Sequence, residues 1–226
     1  MHRMQIITGH YGSGKTEYAV NLALSMAKPG ARISLADLDI VNPYFRSYEQ
    51  TARLEEAGVQ VIVTSCGGVA DIPAINPAVM SIFQNKDITG ILDIGGDPIG
   101  ARVLARFAPQ LHSEELDLLY VLNANRPETK DVDCALEYMR GIERECKQKV
   151  TGIVNNTHLC RETRLEDILK GARLAQELSQ RTGIPIIHHA AERRFADQLA
   201  GLLSEPIFPM EIYMKKPWEI TTCEEE

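Results

Sequence analysis

Hydrophobic residues along the chain fall into short runs separated by longer, periodic stretches. The runs are MQIIT (4–8), RISLAD (32–37), VQVIV (59–63), ITGILDI (88–94), LDLLYVL (116–122), VTGIV (150–154) and IPIIH (184–188). Several are apolar throughout rather than at alternate positions, which predicts strands covered on both faces of a parallel sheet. Between them, TEYAVNLALSMAK (16–28), KDVDCALEYMRGIERECKQ (130–148) and RLEDILKGARLAQELSQRT (164–182) have helix length. In the last, Leu165, Ile168, Leu169, Ala172, Leu174 and Leu178 recur at i, i+3 and i+4 spacing, one buried stripe. The alternation predicts an α/β fold with a doubly wound, mainly parallel sheet and helices on both faces. Residues 1–205 read as one domain. The segment 206–226 carries three prolines and breaks the rhythm, so it is expected to be an extended C-terminal arm packed on the same domain.

The junction between the first strand and the first helix, TGHYGSGKTEYA (8–19), holds the chemistry. Gly9, Gly14, Lys15 and Thr16 fit G-x-x-x-x-G-K-[ST], in the strand–loop–helix context that this P-loop pattern requires. A polyphosphate needs many donors within a small radius and no Cβ atoms in the way. Gly12 and Gly14 let consecutive N–H groups turn inward as an anion nest, and the positive end of the following helix adds to the field. His10, Tyr11 and Ser13 complete the loop. Lys15 offers a mobile charge to the β- and γ-phosphates, and Thr16 a hydroxyl for Mg²⁺. The expected ligands are therefore a nucleoside triphosphate, ATP in the reading below, and Mg²⁺.

Metal and water need carboxylates. In ISLADLDIVNPYF, Asp37 and Asp39 end the second strand, where ligands meet parallel sheets, and their period-2 spacing projects them in one direction. In GILDIGGDPIG, Asp93 ends an apolar strand, and Gly95 and Gly96 leave bare backbone that can approach a γ-phosphate. Asp93 reads as the acid that holds Mg²⁺ through water, since an acid ending a buried strand is costly without a partner.

The DLD of the second strand, followed by Asn42 and Pro43, and the LDIGGD after the fourth resemble the MinD/ParA/CobQ group of P-loop proteins over roughly residues 4–200. That group contains partition and cell-division ATPases, metal-cofactor maturation ATPases and dethiobiotin-synthetase-like ligases. The resemblance implies that Asp39 orients the attacking water, that Asp37 supports the metal, and that the backbone at Gly95 and Gly96 senses the γ-phosphate. It also implies two subunits facing each other across two ATP molecules. Many members carry a second lysine early in the P-loop that reaches the partner's phosphates. Here that position is His10, with Tyr11 where a glycine is usual. His10 could act as a softer contact across the dimer, the contact could be absent, or Arg46 could supply it.

For the base, guanine selection commonly uses Asn-Lys-x-Asp after a late strand. The matching place, IVNNTHL, has Asn155 and Asn156 but neither the Lys nor the Asp. An asparagine amide can pair with the adenine edge, so adenine is favoured. The stretch HHAAERRFADQ (188–198) would form a second wall, with His188 and His189 structural. The segments 64–80, with Cys66, Gly67 and Gly68, and 122–131, with Arg126, should emerge beside the switch loops where a client or second substrate would dock.

Composition narrows the field. A net charge of −7 over 226 residues argues against nucleic acid or an anionic membrane as partner, because either calls for a basic face. No apolar run is long enough to span a bilayer, and the start, MHRMQIITGH, does not read as a signal peptide. Five cysteines without a C-x-x-C pair predict free thiols, a cytoplasmic location and no iron–sulfur site. The leading expectation is an ATP-driven switch, an ATPase or maturation factor, working as a nucleotide-dependent homodimer on a protein client. The alternative is an ATP-dependent small-molecule ligase or kinase.

Overall fold

The computed structural model describes residues 1–39, 50–63, 77–112 and 114–214. Asn42, Pro43, Arg46, Cys66, Gly67, Gly68 and the end of the arm lie outside them. Eight strands form one sheet: β1 (Met4–Thr8), β2 (Arg32–Leu38), β3 (Val59–Val63), β4 (Ile88–Ile94), β5 (Leu116–Leu122), β6 (Gly152–Asn155), β7 (Ile186–Glu192) and β8 (Ile207–Met210). Their order is β3-β2-β4-β1-β5-β6-β7-β8, and every neighbouring pair is parallel. All eight carboxyl ends therefore open on the same edge. The helices are α1 (Lys15–Met26), α2 (Thr51–Glu56), α3 (Val79–Gln84), α4 (Pro98–Ala101), α5 (Ala108–His112), α6 (Val132–Cys146), α7 (Leu165–Thr182) and α8 (Ala196–Ala200).

Residue parity sorts the core into two layers, as the pleat requires. Met4, Ile6, Leu92, Ile94, Leu118 and Tyr120 face one side, against α3, α6 and α7. Ile7, Leu35, Ile91, Leu119 and Val121 face the other, against α1 and α2. Each fully buried side chain of this size contributes about 1.5–3 kcal/mol, so the sheet centre is the rigid body that positions the loops. The long helices begin and end on local signals. Asp131 caps α6 by accepting from the Cys134 amide at 2.9 Å. The Arg164 amide donates to Asp167 at 2.9 Å to start α7, and Gly183 closes that helix with φ 74°.

The expected strands match those observed within a residue or two, except near the end of the chain. There β7 runs on through HHAAE, because Ala190 and Ala191 are buried and β8 pairs beside them. Ile207–Met210, within the expected extended arm, forms that eighth strand. Pro209 is tolerated because β8 is the edge strand. Among the described residues Cys134, Cys146 and Cys160 are free thiols, and no helix is long and apolar enough to cross a membrane.

Candidate functional site

The loop after β1 is built as a cradle. Gly12 and Gly14 have φ of 72° and 79°, conformations that side chains resist, and the Ser13 amide closes a turn on the His10 carbonyl at 3.0 Å. Lys15 opens α1 and is buried to 6% exposure, with Thr16 beside it at 9%. A buried lysine at a helix N-terminus needs an anion, so this end of the fold is prepared for negative charge.

The carboxylates meet it from two neighbouring strands. Asp37 of β2 and Asp93 of β4 are register partners, and the Asp39 amide donates to Asp37 Oδ1 at 3.1 Å. Asp39 itself lies against Gly95, whose bare Cα leaves room for its carboxylate. Asp93 is 1% exposed, and neither of its carboxylate oxygens has a hydrogen-bond partner. Burial first, and the Asp37 charge second, push its acid well above the usual carboxylate range, while Lys15 and Thr16 pull it back. An unpartnered carboxylate in this position fits a hard, oxygen-seeking cation. Among the described residues no group of three His, Cys, Asp or Glu forms a ready-made cage. That suits Mg²⁺, which takes one or two protein oxygens and fills its octahedron with water and phosphate.

On the other side of the P-loop, a cavity of about 260 Å³ runs from Lys15 and Thr16 past Arg126 and His158 to Ala190 and Met214. Arg126 Nε donates to the Gly12 carbonyl at 2.9 Å, and Asn123 donates to the same carbonyl at 3.2 Å. Asn156 donates to the Ser13 carbonyl at 2.8 Å and lines the cavity. Asn155 departs from the expectation of a base contact: it is fully buried and its amide is spent internally. It donates to the Ile168 carbonyl and to His189 Nδ1, and accepts from the Thr157 hydroxyl and amide. His189 then donates Nε2–H toward Glu205, and the Tyr18 hydroxyl shares a hydrogen bond with His188 Nδ1 at 2.8 Å, so both histidines are engaged within the chain.

His10 turns inward within its own chain. Its Nδ1 donates to the Tyr11 carbonyl at 2.6 Å, its Nε2 lies 3.4 Å from Glu128, and its ring meets Tyr138. Tyr11 is half exposed at the cavity edge.

Three participants carried no motif. His158 accepts from the Cys160 amide at Nδ1, so its proton sits on Nε2, a buried donor with no partner. Burial, then Arg126, lowers its pKa to about 4 and keeps it neutral. Glu17, in the first turn of α1, accepts from the Tyr213 and Met214 amides at 2.9 and 3.0 Å. Burial raises its pKa, and these two amides partly offset the rise. Asn21, one turn on, exchanges two hydrogen bonds with Glu211. Together Glu17 and Asn21 bind residues 211–214 down as a cavity wall. Tyr138, third, donates to the Gly96 carbonyl at 2.6 Å. Only the spatial order of the strands brings these groups to the loop.

No family profile matches the sequence, and no curated protein is significantly similar to it. Solved structures do resemble it. Chloroplast FtsY from Physcomitrella patens aligns at a TM-score of 0.54 and 18% identity, over 81% of this chain and 56% of that one. The fold is that of a P-loop nucleotide-binding protein. The signal recognition particle 54 kDa protein from Aeropyrum pernix K1, in complex with GDP, aligns at 0.49 and 22% identity, over 81% and 40%. FtsY from Elizabethkingia anophelis, in complex with GDP, aligns at 0.49 and 16% identity, over 81% and 55%. The chain spans about half the length of these structures.

Proposed function

We propose that the chain is a Mg²⁺-dependent ATP-binding protein that hydrolyses ATP and acts as a nucleotide-driven switch on a protein client. One observation carries this reading: the buried Asp93 carboxylate, without a hydrogen-bond partner, beside the Lys15 ammonium and the Thr16 hydroxyl. An acid so placed gives up its proton readily only when a cation arrives to take its place. Thr16, Asp37 and Asp93 would hold the metal, and Lys15 the β- and γ-phosphates. When bound, Mg²⁺ neutralises charge developing between those phosphates. Asp39, packed on Gly95, would orient the attacking water, and the amides at Gly95 and Gly96 would read the γ-phosphate. The DLD and LDIGGD motifs support a place near the MinD/ParA/CobQ group, and with it an ATP-dependent homodimer. His10 would have to exchange Glu128 for a partner's phosphate to act across that dimer. Neither nucleic acid nor a membrane is proposed as partner, and the acidic balance and free thiols support a cytoplasmic setting.

Adenine is proposed because IVNNTHL lacks the acid that accepts from a guanine edge. Here the Nε2–H of His158 offers a donor instead. Two of the similar structures hold GDP, so the base is the point to test. Calorimetry with Mg²⁺ and either ATP or GTP should show tighter binding of ATP, and tighter GTP binding would reverse the base assignment. Lys15→Ala should weaken triphosphate binding about 100-fold or more, and unchanged affinity would remove the P-loop assignment. Slow basal turnover supports the switch, whereas turnover that starts only with an added carboxylate or hydroxyl substrate supports a ligase or kinase.

A further inference from the structure

The Gly95–Gly96 turn lies over the Lys15 ammonium. A Cβ built on Gly96 would stand 2.6 Å from Lys15 Nζ, 2.8 Å from the Gly9 carbonyl oxygen and 2.9 Å from the Tyr11 amide nitrogen. No side chain fits there. The turn lies so near the P-loop that only glycine is accommodated. Beside them, the Tyr138 hydroxyl of α6 donates to the Gly96 carbonyl at 2.6 Å. The Tyr138 ring meets the His10 ring edge-on at 4.8 Å between centroids, and His10 reaches Glu128 at 3.4 Å. One phenol thus joins the P-loop, the turn after β4 and helix α6. Burial, with Asp97 and Glu128 adding to it, pushes Tyr138 up to about 12, so the hydroxyl remains a donor at neutral pH.

In a P-loop the lysine contacts both the β- and the γ-phosphate. A γ-phosphate held by Lys15 would therefore contend with the Gly96 turn for a space too small even for a Cβ. We propose that Tyr138 is a positioning residue that holds the Gly95–Gly96 turn down over Lys15, and that a γ-phosphate must lift the turn and break this hydrogen bond to bind. The proposal rests on reading the site as a triphosphate-binding P-loop. A diphosphate leaves the Tyr138 contact intact; a triphosphate does not. Tyr138 consequently sets the ratio of the two affinities, since a contact shifts an equilibrium only as far as it differs between the two states. Lifting the turn also frees the Tyr138 hydroxyl, which places α6 and the 127–129 turn first in line to respond to the γ-phosphate.

Tyr138→Phe removes the hydroxyl and keeps the ring against His10. Calorimetry should compare wild type and variant, with Mg²⁺, using ADP, GDP and the β,γ-imido analogues of ATP and GTP. The variant should bind the imido triphosphate about 3- to 10-fold tighter, the worth of one neutral hydrogen bond, with diphosphate affinity unchanged. Equal changes for both ligands, or a shift toward the diphosphate, would show a plain structural prop or a contact that favours the bound state, and either overturns the proposal. Wild type that discriminates normally while the variant shows the same ratio removes Tyr138 alone. Wild type that binds none of the four ligands removes the nucleotide reading and this inference with it.

Discussion

The two ends of the site are finished to different degrees. Under the base side, at the carboxyl ends of β5 to β8, polar groups are mostly paired within the chain. Asn155 bonds Ile168, His189 and Thr157, and Asn156, Asn123 and Arg126 brace the P-loop carbonyls. Under the phosphate side, at the ends of β1, β2 and β4, the Asp93 carboxylate is buried with no hydrogen bond and Lys15 is buried beside it. The base side is a frame that stands without ligand. The phosphate side is held in an unfavourable state by that frame and is relieved only from outside.

Asp93→Asn should break the contrast most strongly. It replaces a buried acid, which ionises there only at a cost, with a neutral amide of the same size, so the ligand-free protein should melt at a higher temperature. The same variant should lose about 100-fold in Mg²⁺-dependent nucleotide affinity, because the charge that holds the cation is gone. Thermal melts with and without Mg²⁺-nucleotide read both effects, and lower stability in the free variant would mean that the carboxylate is satisfied after all.

Glu17→Ala attacks the frame instead. It strips the acceptor from the Tyr213 and Met214 amides, loosening one wall of the cavity. Nucleotide affinity should fall about 10-fold and stability by about 1–3 kcal/mol, both in the same direction. Inorganic tripolyphosphate, which has no base or sugar, should bind the variant as it binds wild type. If tripolyphosphate weakened equally, the wall would be serving the phosphate side.

A further effect appears only below neutral pH. His158 is neutral in the fold with its pKa lowered to about 4, whereas the unfolded chain takes up a proton near the ordinary value of about 6.5. A depressed histidine pKa means that the unfolded state binds more protons in this window. Stability is then lost as pH falls from about 6.5 toward 4. His158→Gln should flatten that loss by up to one proton in a plot of unfolding free energy against pH, and an unchanged slope would place the titration elsewhere.

How far the sequence foretold the molecule follows the same division. The phosphate side is written in contiguous stretches, GHYGSGKT, DLD and LDIGGD, because backbone turns and strand ends use neighbouring residues. The strands β1, β3, β4 and β5 were legible to the residue for a similar reason, since buried runs end where loops begin. The base side is assembled across the sheet order. Glu17 meets Tyr213 196 positions away and Tyr18 meets His188 170 positions away, and no local pattern announces such pairs. Asn155 looked free for a base because its spacing resembles a recognition motif, yet burial beneath α7 and beside β7 used every group on its amide. His158 and Tyr138 passed unnoticed because one buried donor and one phenol have no signature outside their surroundings.

The clamp of Glu17 on residues 213 and 214 also has a meaning in time. During synthesis the ribosome emits the segment that walls the cavity nearly 200 residues after the P-loop. A nascent chain exposing only the earlier strands would own a phosphate cradle but lack a closed chamber. Firm retention of nucleotide should thus begin only once residues 211–214 have left the exit tunnel, so that the cradle precedes its wall.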